Sequence, residues 1–275
     1  MRITAGQAAQ VAALLREAAR LEVLPRFRRL AAGEVRTKSS AFDLVTEADE
    51  AAERRLTAGL RAIFPQAAIL GEEAAASDPA ALRLLDREGL AFVLDPVDGT
   101  ANFAAGAPMF GVMAAAVWNG ETIGAWIHDP MGDDTAIALR GEGAWIEAPS
   151  GHRADCRVAA PAEVGAMLGA VSWGYMEAGR KARVLPALAR LGGTLNFRCA
   201  AHEYRLAATG GLHLLAYNRL MPWDHAAGVL LHAEAGGFSA QFDRRAYSPR
   251  VHQGGLLCAP DRACWDAAID ALQLS

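Results

Sequence analysis

The stretch Leu94–Phe103, LDPVDGTANF, limits what this chain can fold into more than any other. The apolar run Ala91-Phe92-Val93-Leu94 reads as a buried strand. It stops at Asp95, and Asp98 follows within the same turn. Pro96, Gly99 and Thr100 force the chain to change direction. Carboxylates gathered at the end of a buried strand repel one another and resist ionising unless a cation sits between them. Such a strand end can hold a hard divalent cation beside a phosphate.

The elements around it alternate in type. Val11, Leu14, Leu15, Ala18 and Leu21 recur at helical spacing and predict an amphipathic helix over 5–24. A second helix is expected over 46–63, with Thr46 as cap, Asp49 in the first turn and Leu56, Leu60 and Ile63 as its apolar stripe. A strand over 67–70 ends at Gly71-Glu72-Glu73, and an Ala-rich helix follows at 79–88. Strands are expected at 91–94, 109–118, 122–128, 134–140 and 144–147. Strands at 166–173, 194–198 and 212–217 then alternate with helices at 180–191, 200–209 and 223–235. Strands at 237–242 and 254–258 and a helix at 261–272 close the chain. This interleaving predicts an α/β fold with a mixed sheet and helices on its faces. The length of 275 residues suits a single domain of two intimate halves, about 1–150 and 151–275, with Pro149–Arg153 as the candidate seam. Trp118, Trp126, Trp145 and Trp173 fall in expected strands and read as core.

Composition narrows the partners. Lys and Arg total 27 against 31 Asp and Glu, so the net charge of −4 offers no basic face for nucleic acid. Cys156, Cys199, Cys258 and Cys264 form no C-x-x-C pair, as expected for reduced thiols in a cytoplasmic protein. Arg16, Glu17, Arg20 and Glu22 interrupt any secretory core near the start. The least charged stretch, Phe103–Gly120, contains Pro108 and glycines and reads as packed strand, not as a membrane span.

Four acidic clusters begin or end regular elements: Asp49, Glu72 with Glu73, Asp95 with Asp98, and Asp224. Mg²⁺ takes octahedral oxygen ligands and keeps some waters, so two or three carboxylates and a substrate phosphate would satisfy it. Taken singly, Asp49 also reads as first-turn helix charge, Glu72-Glu73 as a solvated loop and Asp224 as a cap.

The blocks GEE at 71–73, DPVDGTANF at 95–103 and PWDHAAG at 222–228 resemble the signature blocks of the inositol monophosphatase family. KSSAFDLVTEAD at 38–49, RGEGAW at 140–145 and AEAGG at 233–237 resemble its flanking blocks, in family order. The resemblance implies a layered αβαβα sandwich of the inositol monophosphatase and fructose-1,6-bisphosphatase type, with the site between the halves. It implies Mg²⁺-dependent hydrolysis of a small phosphate monoester by direct attack of water. Glu72, Asp95 and the carbonyl of Val97 would bind a first Mg²⁺, and Asp95, Asp98 and Asp224 a second. A weaker third ion would lean on Glu72. Thr100 with Glu72 would activate the water, Asp49 would hold the Thr100 hydroxyl, and the Gly99 and Thr100 amides would cradle phosphate. Lys38 matches a family lysine near the metals. Family members are often Li⁺-sensitive homodimers.

The substrate side departs from the family. The usual small-residue turn reads Cys199-Ala200-Ala201-His202-Glu203-Tyr204-Arg205 here. A family glutamate about seven residues before the signature aspartate is replaced by Tyr217, or by Asn218 in a shifted alignment, with Arg219 after it. His202, Glu203, Arg205, Tyr217 and Asn218 are therefore candidate substrate contacts beside Lys38. Inositol phosphate is the default substrate; histidinol phosphate, a sugar bisphosphate and a 3'-phosphonucleotide are alternatives, as is a non-catalytic regulator that binds a phosphometabolite.

Other motifs fail on spacing. The haloacid-dehalogenase nucleophile lies in D-x-D-G-T, but Asp95 and Asp98 have two residues between them. His202-Glu203 would need a second histidine at Leu206 to hold zinc. His225 and His232 share a helix face and read as a partly exposed pair. No G-x-S-x-G elbow, dinucleotide fingerprint or Walker loop is present.

Overall fold

The computed structural model describes residues 1–31, 33–37 and 44–274. Two short strands, β1 (Val35–Thr37) and β2 (Leu44–Thr46), pair antiparallel. Then β3 (Ala68–Gly71), β4 (Leu90–Asp98), β5 (Gly111–Trp118), β6 (Glu121–Asp129), β7 (Asp134–Leu139), β8 (Gly143–Glu147) and β9 (Arg153–Asp155) lie side by side in chain order. β3 runs parallel to β4, and the remaining neighbours are antiparallel. The second sheet holds β10 (Leu168–Val171), β11 (Gly193–Leu195), β12 (Leu214–Tyr217), β13 (Phe238–Gln241) and β14 (Leu256–Ala259), in the order β11-β10-β12-β14-β13.

The helices are α1 (Ala5–Ala18), α2 (Glu47–Ile63), α3 (Glu72–Ser77), α4 (Thr100–Ala104), α5 (Ala178–Ala187), α6 (Ala200–Ala208), α7 (Pro222–Glu234) and α8 (Arg262–Ala271). Strand alternation decides which helices each sheet face meets. Phe92 and Leu94 of β4, with Trp126 of β6, bury against Val11 and Leu15 of α1 and Leu56 and Leu60 of α2. Val93, lying between them, faces the other way, toward Tyr204 of α6 and Leu230 of α7. The same helices cover Leu215 and Cys258 of the second sheet. That sheet's far face, through Leu214 and Leu257, packs on α5 and α8 around Trp265. The layers therefore run helix, sheet, helix, sheet, helix, and each fully buried Leu or Phe contributes about 1.5–3 kcal/mol of apolar burial.

Several sequence expectations shift. The first helix ends at Ala18 and continues as a π-turn over Ala19–Val23 and a 3₁₀ turn over Leu24–Arg26. The wider turn changes the helical phase, so Val23 is buried and Leu21 faces solvent. The segment Pro79–Asp86 is 3₁₀ rather than α. The stretch 149–153 is a tight turn: Ala148 N–H donates to His152 O, and the chain returns as β9 against β8. Trp173 is not core. It lies past the end of β10 and is 41% exposed. All four cysteines are buried and free. Among the described residues, no helix is long and apolar enough to cross a membrane.

Candidate active site and metal centre

The end of β4 is irregular, and the irregularity builds the site. Residues three apart on a regular strand point to opposite faces. Asp95 pairs with Met113 but Asp98 with Gly111, so the strand gains one residue over its partner. This bulge turns both carboxylates to the same cavity, the usual service of a bulge beside a site. Asp95 Oδ1 accepts from the Val97 N–H at 3.1 Å. Gly99 follows with φ of 88°, and a Cβ there would lie 2.7 Å from Met109 O, so only glycine fits. The chain then enters α4 with Thr100 at its first position.

Asp98 ties the end of β4 to the start of α6. Its Oδ2 accepts from the Ala201 N–H at 2.5 Å and lies 3.0 Å from Cys199 Sγ, at the start of α6. Burial pushes its carboxyl above the usual range, against the help of those donors. Asp224 comes from the first turn of α7, which Pro222 opens. Carboxylate oxygens of Asp95, Asp98 and Asp224 all lie within 4.8 Å of one another.

Glu72 reaches the same cavity from the first turn of α3. A residue the sequence reading missed sets its position. Glu53, buried on α2, accepts from the Glu73 N–H at 2.8 Å and the Ala74 N–H at 2.9 Å, capping α3 with a side chain 20 residues upstream. Any Cβ at Gly71 would collide with that carboxylate. No local pattern marks a glutamate in a helix as another helix's cap.

Asp49 stands behind Thr100. It is 1% exposed. Its Oδ2 accepts from Thr46 N–H at 2.8 Å and Thr46 Oγ1 at 2.6 Å in a capping box, worth about 1 kcal/mol to α2. Its Oδ1 lies 3.0 Å from Thr100 Oγ1, which is also 2.9 Å from Val97 O. The single hydroxyl proton is shared between two acceptors, and its lone pairs remain available. Burial, with the charge of Glu72 adding to it, raises Asp49 to about 6, against the pull of Thr46 and Thr100.

The cavity holds about 750 Å³ and takes its walls from both sheets and the helices between them. Glu72, Asp95, Val97, Asp98, Gly99, Thr100 and Asp224 all line it. Of the substrate candidates, Glu203, Tyr217 and Asn218 line it and two do not. His202 Nε2 lies 3.1 Å from Phe110 O, and Arg205 donates to Ile127 O at 3.0 Å and pairs with Asp134. The helical turn explains the split: positions 199, 200 and 203 share the cavity face of α6, while 202 and 205 face the seven-stranded sheet. Lys38 lies outside the described residues.

Glu203 Oε2 accepts from Tyr217 Oη at 2.9 Å, and Oε1 from Phe197 N–H at 2.9 Å. The tyrosine that replaces the expected glutamate thus holds a carboxylate delivered by α6. Burial raises Glu203 to about 7. His225 and His232 are both buried, not partly exposed, and burial lowers each to about 4. His225 Nε2 donates to Arg219 O at 2.7 Å, which leaves Nδ1 to accept from Tyr204 Oη at 3.1 Å. Also missed were Trp173, Tyr175 and Lys181, which line the cavity. Gly174 between two aromatics is the local sign that they leave the strand.

The donor set tests whether a metal fits. Three carboxylates from two elements converge, a fourth shares the cavity, and all offer oxygen; that is the chemistry of a hard divalent cation.

Comparison with known proteins follows the same line. The model of the family described as "Inositol monophosphatase family" matches residues 4–273. An inositol-1-monophosphatase from Bacillus subtilis is 30% identical over 208 residues, 74% of each chain. A protein named Nus factor SuhB from Pseudomonas aeruginosa is 31% identical, covering 86% of this chain and 85% of its own. The crystal structure of extragenic suppressor protein suhB from Bartonella henselae superposes with a TM-score of 0.82 at 25% identity, over 96% of this chain and 98% of that one.

Proposed function

The chain belongs to the inositol monophosphatase family, and from that premise we propose that it is a Mg²⁺-dependent phosphatase that releases inorganic phosphate from a small phosphate monoester. One observation carries the reading. Acids from β4, α3 and α7 meet at one cavity beside a threonine whose hydroxyl is held by a buried aspartate.

Glu72, Asp95 and the Val97 carbonyl would hold one cation, and Asp95, Asp98 and Asp224 a second. When bound, such cations neutralise phosphoryl charge and make water a stronger nucleophile near neutral pH. The chain's own groups do the rest. Thr100 Oγ1 accepts a hydrogen bond from the attacking water, because its own proton points to Asp49 or Val97. Glu72 takes the proton that the water loses. Gly99 and Thr100 present their amides to the phosphoryl oxygens. The alkoxide released when the P–O bond breaks lies toward Glu203, Tyr217 and Asn218 and takes its proton from solvent water. No covalent enzyme intermediate is required.

A regulator that only binds a phosphometabolite would have no need of a threonine hydroxyl held by Asp49 beside the cations. Release of nitrophenol from p-nitrophenyl phosphate tests the reading. Turnover blocked by EDTA and restored by Mg²⁺ supports it; binding without turnover rejects it.

A further inference from the structure

One part of the cavity wall has a chemistry that the hydrolytic reaction does not use. Past the end of β10 the chain exposes two aromatic rings, Trp173 at 41% and Tyr175 at 53%. Each carries a cation on its face. Lys181 Nζ lies 5.2 Å from the centroid of Trp173, and Arg219 Cζ lies 5.5 Å from that of Tyr175. All four residues line the cavity that holds the acids. Among the described residues, neither Lys181 nor Arg219 pairs with a carboxylate.

This wall is built, not incidental. Asn218 Nδ2 donates to Ser172 O at 2.8 Å and ties the end of β12 to the segment that carries the two aromatics. Arg219 O accepts from the buried His225, which anchors the arginine's backbone to α7. Asn218 Oδ1 is itself buried, with no hydrogen-bond partner among the described residues.

Two cations that line the same cavity as five carboxylates, Glu72, Asp95, Asp98, Glu203 and Asp224, could have paired with them. Here they rest on aromatic faces at the mouth instead. A cation so placed is partly desolvated and keeps its charge for an incoming anion. A neutral polyol can only accept hydrogen bonds from such a pair, whereas an anion also neutralises its charge through shorter, stronger bonds.

We propose that the substrate of this site carries a second anionic group, a phosphate or a carboxylate, on its alcohol portion, and that Lys181 and Arg219 receive it at the aromatic mouth. The proposal rests on the phosphatase reading above and specifies its substrate class. The reacting phosphoryl group sits against the acids. The second anion lies at the other end of the leaving alcohol and departs with it. The alcohol portion is therefore short enough for one cavity of about 750 Å³ to hold both ends.

Matched pairs of substrates test this with Mg²⁺ present. Fructose 1,6-bisphosphate against fructose 1-phosphate reads a second phosphate. 3-Phosphoglycerate against glycerol 3-phosphate reads a carboxylate. The anionic member of at least one pair should show kcat/KM higher by about tenfold or more, mostly through KM, the ratio that one charge-assisted contact supplies. In K181M/R219Q that advantage should fall to under about threefold. Taking the ratio within each pair cancels any general loss of turnover. Equal or better turnover of the neutral member in both pairs overturns the proposal. So does an advantage that survives in the double variant. Mg²⁺-dependent turnover of p-nitrophenyl phosphate checks the underlying reaction separately. Should that fail, calorimetric titration of the same pairs reads the preference as affinity and decides the proposal alone.

Discussion

Thr100 Oγ1 lies 3.0 Å from Asp49 Oδ1, a contact that spans 51 positions of the chain. It joins the first turn of α2 to the first turn of α4, and so fixes a hydroxyl beside the acids of β4. The capping box that starts α2 uses the other oxygen of the same aspartate. One side chain thus closes a helix and orients a candidate catalytic group.

Replacing Thr100 by valine keeps the shape and removes the hydroxyl. We expect kcat to fall by roughly 10²–10⁴-fold, the range for a positioned proton-handling group, with KM little changed. Steady-state kinetics on p-nitrophenyl phosphate checks this, and circular dichroism checks the fold. Near-normal kcat would remove Thr100 from the chemistry.

Asp95 is shared by both proposed cations. D95N should leave the thermal transition in place and abolish Mg²⁺-dependent turnover, a loss exceeding about 100-fold. Activity measured across a Mg²⁺ titration is the readout. Unchanged activation would take the carboxylate out of the site.

Glu53 touches neither phosphate nor cation in this account, yet it holds Glu72 in place through the amides of Glu73 and Ala74. E53A should cost about 1–3 kcal/mol, since it strands those two donors. It should also raise the Mg²⁺ concentration needed for half activation. G71A should do the same by forcing the Glu53 carboxylate aside. Loss of stability with an unaltered Mg²⁺ requirement would show that Glu53 braces α3 without positioning Glu72.

Glu203 titrates near 7 in the fold against an ordinary value of 4.5, because burial disfavours its charge. Its folded state therefore holds a proton more tightly than the unfolded chain. The stability that results is complete below about 4.5 and is lost as pH rises through about 7. E203Q cannot titrate. In EDTA, its stability relative to the parent should rise between pH 5 and 8, on the order of 3 kcal/mol in total. Denaturant melts across that range supply the test, and a difference independent of pH would contradict the shift.

Residues near in sequence were legible because local physics governs them. Helical periodicity located α2 to within a residue, and Thr46 announced its cap. The turn after Asp95 followed from Pro96, Gly99 and the end of an apolar run. Glu72 and Asp224 stood in ordered blocks, so the acids proposed for the site were named from the sequence, and they line one cavity. What the chain's order cannot carry is orientation. The bulge that aims Asp95 and Asp98 the same way depends on where β5 pairs. The face of α6 that meets the cavity depends on how the helix rolls against the seven-stranded sheet, which chose Glu203 and turned His202 and Arg205 away. Trp173 is as apolar as Trp126, yet one lines an open cavity and the other is fully buried. Burial is set by neighbours brought from across the chain, and hydrophobicity alone does not specify which neighbours arrive.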